Sequence, residues 1–460
     1  MGIYINRIIN LKKIKAIGFD MDYTLVRYQT EAFECFTHGV LLKKLVEVKG
    51  YSDNILSVEF DFNRVIQGLV IEKNKGNILK ISRYGKVKMS YHGTKQLTYK
   101  EQQDIYANKV IDLNDRNIQS LDTSFSISNG VLFSQLVDLK DQGLDLPSYE
   151  ELATDIRYIL DLAHADGSLK TEVRNNLEKY IIQDPGVPLL LERYKSFGKK
   201  LLVITNSDFA YTKLLLDYTI NPYLEDHQSW QDLFDITITL SGKPGFFTSK
   251  NRYLNVNVDN GFMTNFEGKI EDGIYQGGHA GKLQKDLGLD GDEILYLGDH
   301  IYGDVVSIKK TFNWRTGMVL GPLAEEIEGL VKTKPIQDTI DELMDQKQVL
   351  ELKLNQLDLK KKENKVKKID NKENKKEVDK LFSEIDNING EISEQLSKFK
   401  SYHNPFWGEM MRAGQEESRF ADQMEKYACI YMAKVSDLLE NSPKTYFRPH
   451  KRILPHEINT

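Results

Sequence analysis

Residues 16–25 read AIGFDMDYTL, an apolar run that ends on two aspartates, Asp20 and Asp22, one residue apart. Residues 14–19 are short, apolar and rich in β-formers, the pattern of a strand buried on both faces in a parallel sheet. Asp20 therefore stands where such a strand leaves the sheet. In an open α/β sheet this is where ligands bind and reactive groups collect. Asp20 and Asp22 share one side of an extended chain, and a turn after Phe19 frees Asp20 and aims Asp22 beside it. Capping or turn aspartates produce the same string, so the choice between the two readings falls to the rest of the chain.

Three later stretches have the same character: KLLVITN (200–206), LFDITITL (233–240) and EILYLGD (293–299), with helical patterns over 184–198 and 208–218 between them. Strand alternating with helix predicts an α/β, doubly wound parallel-sheet, Rossmann-like core built from residues 1–29 and 196–335. Residues 30–195 far exceed a crossover connection. They read as a large inserted α/β cap domain for substrate recognition, with strand-like pieces SVEFDF (57–62), QGLVIEK (67–73) and NILKIS (77–82) and an amphipathic helix over 149–165. Water exclusion and substrate choice belong in such a cap.

Residues 336–400 differ in kind. Ile336, Ile340, Leu343, Leu350, Leu354 and Leu357 keep heptad spacing, and Leu381, Ile385, Ile388, Ile392 and Phe399 resume it, which predicts a charged, coiled-coil-like helical hairpin. Its tip, KKKENKVKKIDNKENKKE (360–377), dilutes nine lysines with four acids and interleaves no aromatics, so a solvated end is favoured over a nucleic-acid or lipid patch. Residues 401–460 are expected to pack back on the core.

A net charge of -6 over 460 residues gives no global pull toward nucleic acid or anionic membrane. Two cysteines, Cys35 and Cys429, cannot assemble a disulfide framework or a Cys-rich zinc site. No apolar run approaches a membrane span, and the N-terminus lacks the apolar core of a secretory signal. The expectation is a cytoplasmic enzyme with no nucleic-acid or membrane partner.

The strand ends carry chemistry in a consistent order. Thr205, Asn206 and Ser207 offer hydroxyl and backbone N–H groups to a phosphate oxygen. Lys243, in SGKPGFF, is a point cation for the same phosphate. Asp299 and Asp304, in GDHIYGD, are hard oxygen ligands of the kind Mg²⁺ prefers. Singly these are a helix cap, a turn and a loop; in this order, each at a strand end, they favour catalysis over capping for Asp20 and Asp22.

With these residues in place, the chain resembles the haloacid dehalogenase superfamily and, more narrowly, the cytosolic purine 5'-nucleotidases that prefer IMP and GMP. The resemblance rests on GFDMDYTL, DIRYILDLAHADGSLK, LEKYIIQD, TNSDFAYTK, FFTSK, ILYLGDHIYGD, WRT and NPFWGEMMRAG. It implies Mg²⁺-dependent hydrolysis of purine nucleoside 5'-monophosphates, with Asp20 as nucleophile forming an aspartyl-phosphate and Asp22 as acid and then base. Thr205 and Lys243 complete the implied catalytic set. The metal is expected on Asp20, the Asp22 carbonyl and Asp299, with Asp304 orienting its waters or supporting Lys243.

Arg157 and Asp161 are expected on the base edge, His164 and Phe125 on the faces of the ring, and Lys170, Asn206 and Ser207 as further substrate contacts. Ser126 and Ala165 depart from the animal-type pattern, which leaves base preference open. Asp112 replaces an expected basic residue while Tyr302 and Lys310 remain, which leaves a nucleotide effector open. Relatives form homotetramers, which implies the same here. Two rival readings stand beside this one: a nucleoside phosphotransferase using the same intermediate, and a non-catalytic nucleotide-binding scaffold whose hairpin recruits a partner.

Overall fold

The computed structural model describes residues 2–258, 260–366, 372–451 and 453–457. Its principal sheet contains β1 Tyr4–Ile5, β2 Ala16–Phe19, β3 Lys200–Ile204, β4 Ile236–Thr239, β5 Tyr253–Val256, β6 Met263–Phe266, β7 Gly273–Gly277, β8 Ile294–Gly298, β9 Arg315–Val319 and β10 Ile430–Met432. The spatial order is β1-β10-β9-β8-β2-β3-β4-β7-β5-β6. From β10 to β7 every pairing is parallel, while β1, β5 and β6 are added at the edges by antiparallel pairing.

The central strands do not alternate because both faces of the sheet are covered: Ala16, Ile17, Phe19, Leu201, Val203, Leu295 and Leu297 are all buried. Gly18 interrupts the apolar run of β2 for a packing reason. A Cβ there would lie 2.7 Å from Cδ2 of Tyr296 on β8. From β2 the chain winds outward through β3 and β4, then returns to the other side of β2 with β8. This reversal opens a crevice at the carboxyl ends of β2, β3 and β8.

The chain leaves this sheet for the insertion along Arg27–Tyr28 and returns along Ile181–Ile182, two short strands paired antiparallel with Tyr28 opposite Ile181. In between, α1 Thr30–Lys49, α2 Ile127–Asp141 and α3 Tyr149–Ala165 pack on one another. A five-stranded antiparallel sheet accompanies them, built from Lys95–Gln96, Val87–His92, Asn77–Ile81, Leu69–Glu72 and Ile118–Leu121 in that order. The α3 boundary follows from a capping box in which Ser148 and Glu151 satisfy each other's backbone N–H groups.

The strand expected over 57–62 does not form. Asp53–Ser57 and Phe62–Arg64 are 3₁₀ turns, with Ser52 accepting from the Asn54 N–H and Asp61 from the Asn63 N–H. These short polar side chains give the backbone a local partner that competes with a ladder.

Glu34, on α1, is fully buried and accepts a 2.7 Å hydrogen bond from the Ser128 N–H on α2. Burial pushes its carboxyl up to about 8, only partly opposed by the bonds from Ser128. A folded-state pKa above the unfolded value means that the native state holds the proton longer. Stability is therefore highest below the ordinary glutamate range and falls as pH rises toward 8. Glu34→Gln is expected to flatten this fall, which costs the native protein about 1.4 kcal/mol per pH unit across the window. Urea midpoints at pH 5.5 and 8.5 check it; equal pH dependence in both proteins sinks the prediction.

Residues 1–324 and 410–460 form one compact unit and 325–409 a second. The second is built on α4 Leu323–Val366 and α5 Lys372–Lys400. The helix begins well ahead of the expected 336, because Pro335 lies within it without ending it. Along the two helices Ile340, Leu343, Leu381, Ile385 and Ile392 are buried, at expected heptad positions. The middle of the expected solvated tip, 367–371, lies outside the described residues. Among the described residues no helix is long and apolar enough to cross a membrane.

Candidate active site

The chain turns sharply as β2 ends. The Thr24 and Val26 N–H groups both donate to the Met21 carbonyl, and Tyr23 takes φ 57°, a left-handed conformation rare for a bulky residue. Such strain costs roughly 1–3 kcal/mol and persists only where the surroundings over-determine it. The Tyr23 ring is held against Tyr28 and Phe125, at centroid distances of 4.9 and 4.5 Å. The turn lets Asp20 and Asp22 face one cavity.

Asp20 sits at the sheet's edge with its N–H donating to the Leu297 carbonyl of β8, while its Oδ1 accepts from the Met21 N–H at 2.8 Å. Lys243 Nζ lies 2.7 Å from Asp20 Oδ1, 2.9 Å from Asp304 Oδ1 and 3.0 Å from the Tyr296 hydroxyl, and its side chain is only 4% exposed. Burial works against the charge of this lysine, but the carboxylates of Asp20 and Asp304 override it and hold its pKa well above the ordinary value. Burial likewise pushes Asp20 up to about 7, with Lys243 opposing and Asp304 and Asp22 adding to the rise.

Asp304 comes from a π-helical turn, Ile301–Val306, and accepts at Oδ2 from the His300 N–H at 3.1 Å. Gly298 makes room for it, since a Cβ at 298 would lie 2.4 Å from the Asp304 carboxyl carbon. Asp20, Asp299 and Asp304, all buried, each bring a carboxylate oxygen within 4.8 Å of the others. The Asp299 carboxyl is driven well above its usual range, by burial first and then by Asp20 and Asp304. Three hard oxygen donors facing one ammonium leave an excess of negative charge that a divalent cation relieves, so the donor set fits Mg²⁺.

Asp22 accepts from the Tyr28 hydroxyl at 2.6 Å and from Ser207 Oγ at 2.8 Å. Burial raises its pKa, and those two hydrogen bonds oppose the rise. A carboxyl held partly toward its neutral form beside a cavity is suited to giving and taking a proton.

That cavity, about 680 Å³, is lined by Asp20, Asp22, Phe125, Asp161, His164, Lys170, Asn206, Ser207, Lys243, Asp299 and Asp304 among others. Its size falls within the range of small-ligand sites. Thr205 and Arg157, both expected at the site, do not line it. Thr205 is fully buried at the end of β3, and its hydroxyl accepts from the Ser207 N–H. Arg157 is exposed on α3, a turn before Asp161. Helical spacing puts Arg157, Asp161 and His164 on one face, but only the last part of that face reaches the cavity.

Asn206 does more than line the wall. Its Oδ1 accepts from the Lys243 N–H at 2.7 Å and from Ser241 Oγ at 3.0 Å, and its Nδ2 donates to the Lys243 carbonyl at 3.0 Å, clamping the loop that carries the lysine. Lys170 pairs with Asp208 and lies 5.3 Å from the Tyr211 ring centroid. Phe125 and His164 meet edge to face, 5.8 Å apart at 86°, so in this arrangement they do not bracket a ring between parallel faces. His164 is held neutral, its pKa lowered to about 4 by burial and then by Lys170.

Sequence reading missed Tyr28, Tyr211, Tyr296, Asp208 and His300. Of these His300 stood beside Asp299 and Asp208 beside Ser207, both named, while Tyr296 was hidden inside an apolar strand.

A model described as the 5' nucleotidase family matches residues 3–459. A 5'-nucleotidase domain-containing protein of Dictyostelium discoideum is 24% identical over 483 residues, covering 99% of this chain and 75% of its own. Among solved structures, a predicted phosphoglycolate phosphatase from Haemophilus somnus is 13% identical with a TM-score of 0.31, over 67% of this chain and 85% of that one. A HAD phosphatase from Thermococcus onnurineus is 16% identical with a TM-score of 0.26, over 67% and 87%.

Proposed function

The chain belongs to the 5' nucleotidase family, and from that premise we propose that it hydrolyses purine nucleoside 5'-monophosphates, IMP and GMP foremost, with Mg²⁺ and through an aspartyl-phosphate on Asp20. Membership of that family makes the chain an enzyme of the 5'-nucleotidase type, acting on phosphate monoesters. The observation that carries the finer reading is the Lys243 bridge between Asp20 and Asp304 on the wall of a nucleotide-sized cavity.

In this reading an oxygen of Asp20 bonds to phosphorus as the bond to the nucleoside 5'-oxygen breaks, and Asp22 passes its proton to that oxygen. Water then bonds to phosphorus, gives its proton back to Asp22, and the bond to Asp20 breaks. Splitting one displacement into two makes each step easier. Lys243 keeps its charge throughout and draws the phosphoryl oxygens toward Asp20. Asp20, Asp299 and Asp304, with the Asp22 carbonyl, would hold Mg²⁺. When bound, it supplies the charge neutralisation that lets an anionic nucleophile meet an anionic substrate. Support for a purine comes from the neutral imidazole of His164 and the Phe125 ring, two apolar surfaces on the cavity wall beside Asp161.

A phosphate-release panel across all nucleoside monophosphates, with Mg²⁺ and with chelator, tests this. IMP and GMP are expected to turn over at least about tenfold faster than pyrimidine nucleotides, a difference of about 1.4 kcal/mol, and chelator is expected to stop release. No phosphate from any nucleotide sinks the enzyme reading; faster pyrimidine turnover sinks only the purine preference.

A further inference from the structure

Asp22 is gripped by hydroxyls from two different parts of the chain. Tyr28 Oη lies 2.6 Å from Asp22 Oδ1, and Ser207 Oγ lies 2.8 Å from Asp22 Oδ2. Tyr28 Oη is also 3.1 Å from Tyr211 Oη. A phenol has one proton to give, and a carboxyl oxygen that bears no proton only accepts. Tyr28 therefore donates to Asp22 and accepts from Tyr211. This directed chain commits Oδ1 to accepting from a phenol that Tyr211 holds in turn, whereas Oδ2 meets only the rotatable hydroxyl of Ser207, which can take a hydrogen bond as readily as give one, so Oδ2 is the oxygen that can carry a transferable proton.

Tyr28 is placed so that it cannot swing away. It is 5% exposed, and its ring is wedged between Tyr23, Phe33 and Phe125 at centroid distances of 4.9, 5.3 and 5.7 Å. Its backbone belongs to the short strand by which the chain passes into the cap, paired opposite Ile181 on the return strand. The hydroxyl that holds Asp22 is thus anchored to the strand pair that joins the core to the insertion rather than to the loop after β2.

We propose that Tyr28 is the positioning residue of the acid/base aspartate: by occupying Oδ1 it aims Oδ2 of Asp22 at the departing 5'-oxygen, and Tyr211 fixes the direction of its proton. Tyr28 exchanges no proton with substrate. In the first step the proton on Oδ2 goes to the 5'-oxygen as its bond to phosphorus breaks and the Asp20–phosphorus bond forms. In the second, the attacking water returns a proton to Oδ2 as the Asp20–phosphorus bond breaks. The assignment rests on the acid role given to Asp22 above.

The test compares a leaving group that needs a proton with one that does not. Wild type, Asp22→Asn, Tyr28→Phe and Tyr211→Phe are mixed rapidly with IMP and with p-nitrophenyl phosphate in the presence of Mg²⁺, and first-turnover release of inosine or p-nitrophenolate is read. Tyr28→Phe is expected to slow inosine release by about 10–100-fold, part of the roughly 10²–10⁴-fold that a positioned acid supplies. KM for IMP should stay within about twofold and p-nitrophenolate release within about threefold, since p-nitrophenolate departs without protonation. Tyr211→Phe, which keeps the Tyr28 ring and hydroxyl, should show a smaller contrast of the same sign, and it carries the test if Tyr28→Phe fails to fold. Equal loss on both substrates, or no loss on IMP, overturns the proposal. A leaving-group contrast in Asp22→Asn but in neither tyrosine variant overturns the tyrosine assignment alone. Its absence in Asp22→Asn overturns the acid role of Asp22 and the assignment with it.

Discussion

Asp20→Asn is expected to abolish phosphate release from purine nucleotides, lowering kcat by at least about 10⁴-fold while the protein stays folded. The amide has nearly the shape of the carboxyl, so its hydrogen bond from the Met21 N–H and its place beside Lys243 survive. What is lost is an anionic oxygen able to bond to phosphorus. Folding should not suffer, because burial already pushes Asp20 up to about 7. A carboxyl whose pKa is raised by folding costs stability increasingly as pH climbs from its unfolded range through that value. At pH 8 in the absence of metal, the Asn variant should melt no lower than wild type. Turnover within tenfold of wild type in a correctly folded variant removes Asp20 as the nucleophile.

Lys243→Met should cost both activity and stability. The lysine is the cation between two buried carboxylates, at 2.7 Å from Asp20 and 2.9 Å from Asp304. Methionine fills the space but leaves both charges without it, and removing one partner of a buried ionic group typically destabilises by about 3–5 kcal/mol. Turnover should fall by about 10³-fold or more, since the phosphoryl oxygens lose their fixed cation. The two effects separate. As pH falls below about 7 and Asp20 takes up its proton, the stability loss should shrink. Adding Asp304→Asn should recover stability at neutral pH without restoring turnover. A urea midpoint unchanged from wild type at pH 8 would show that the pair is not held as tightly as its geometry implies.

Much of this site was legible in the order of residues along the chain. Asp20, Lys243, Asp299 and Asp304 each follow an apolar run by a few positions, and a parallel sheet brings such carboxyl ends to one edge whatever lies between them. The helix over 149–165 was legible for the same local reason, its capping box and apolar period being written in adjacent residues. Arg157 shows the limit of that logic. Periodicity assigns a residue to a face, but how far along the helix the cavity extends depends on what the helix packs against, and Arg157 lies beyond it. The 57–62 stretch shows another limit, since Ser52 ahead of it and Asp61 within it satisfied the backbone locally and displaced a ladder that hydrophobicity alone favoured.

Taken alone, the sequence determined the chemical groups and the sheet that gathers them, because strand identity and strand-end residues are local properties of the chain. Only the tertiary structure decided how those groups are held. Asn206 became a clamp on Lys243, Thr205 turned its hydroxyl toward Ser207, and Tyr28 and Tyr211 aligned on Asp22 across 183 residues of sequence separation. Such partners leave no periodic trace, since hydrogen bonds and desolvation depend on distance in space, and a tyrosine within an apolar run looks the same whether it fills a core or orients a carboxyl. For AIGFDMDYTL, the string named two carboxylates at a strand end. The left-handed turn at Tyr23 and the hydroxyls of Tyr28 and Ser207 decided where Asp22 points.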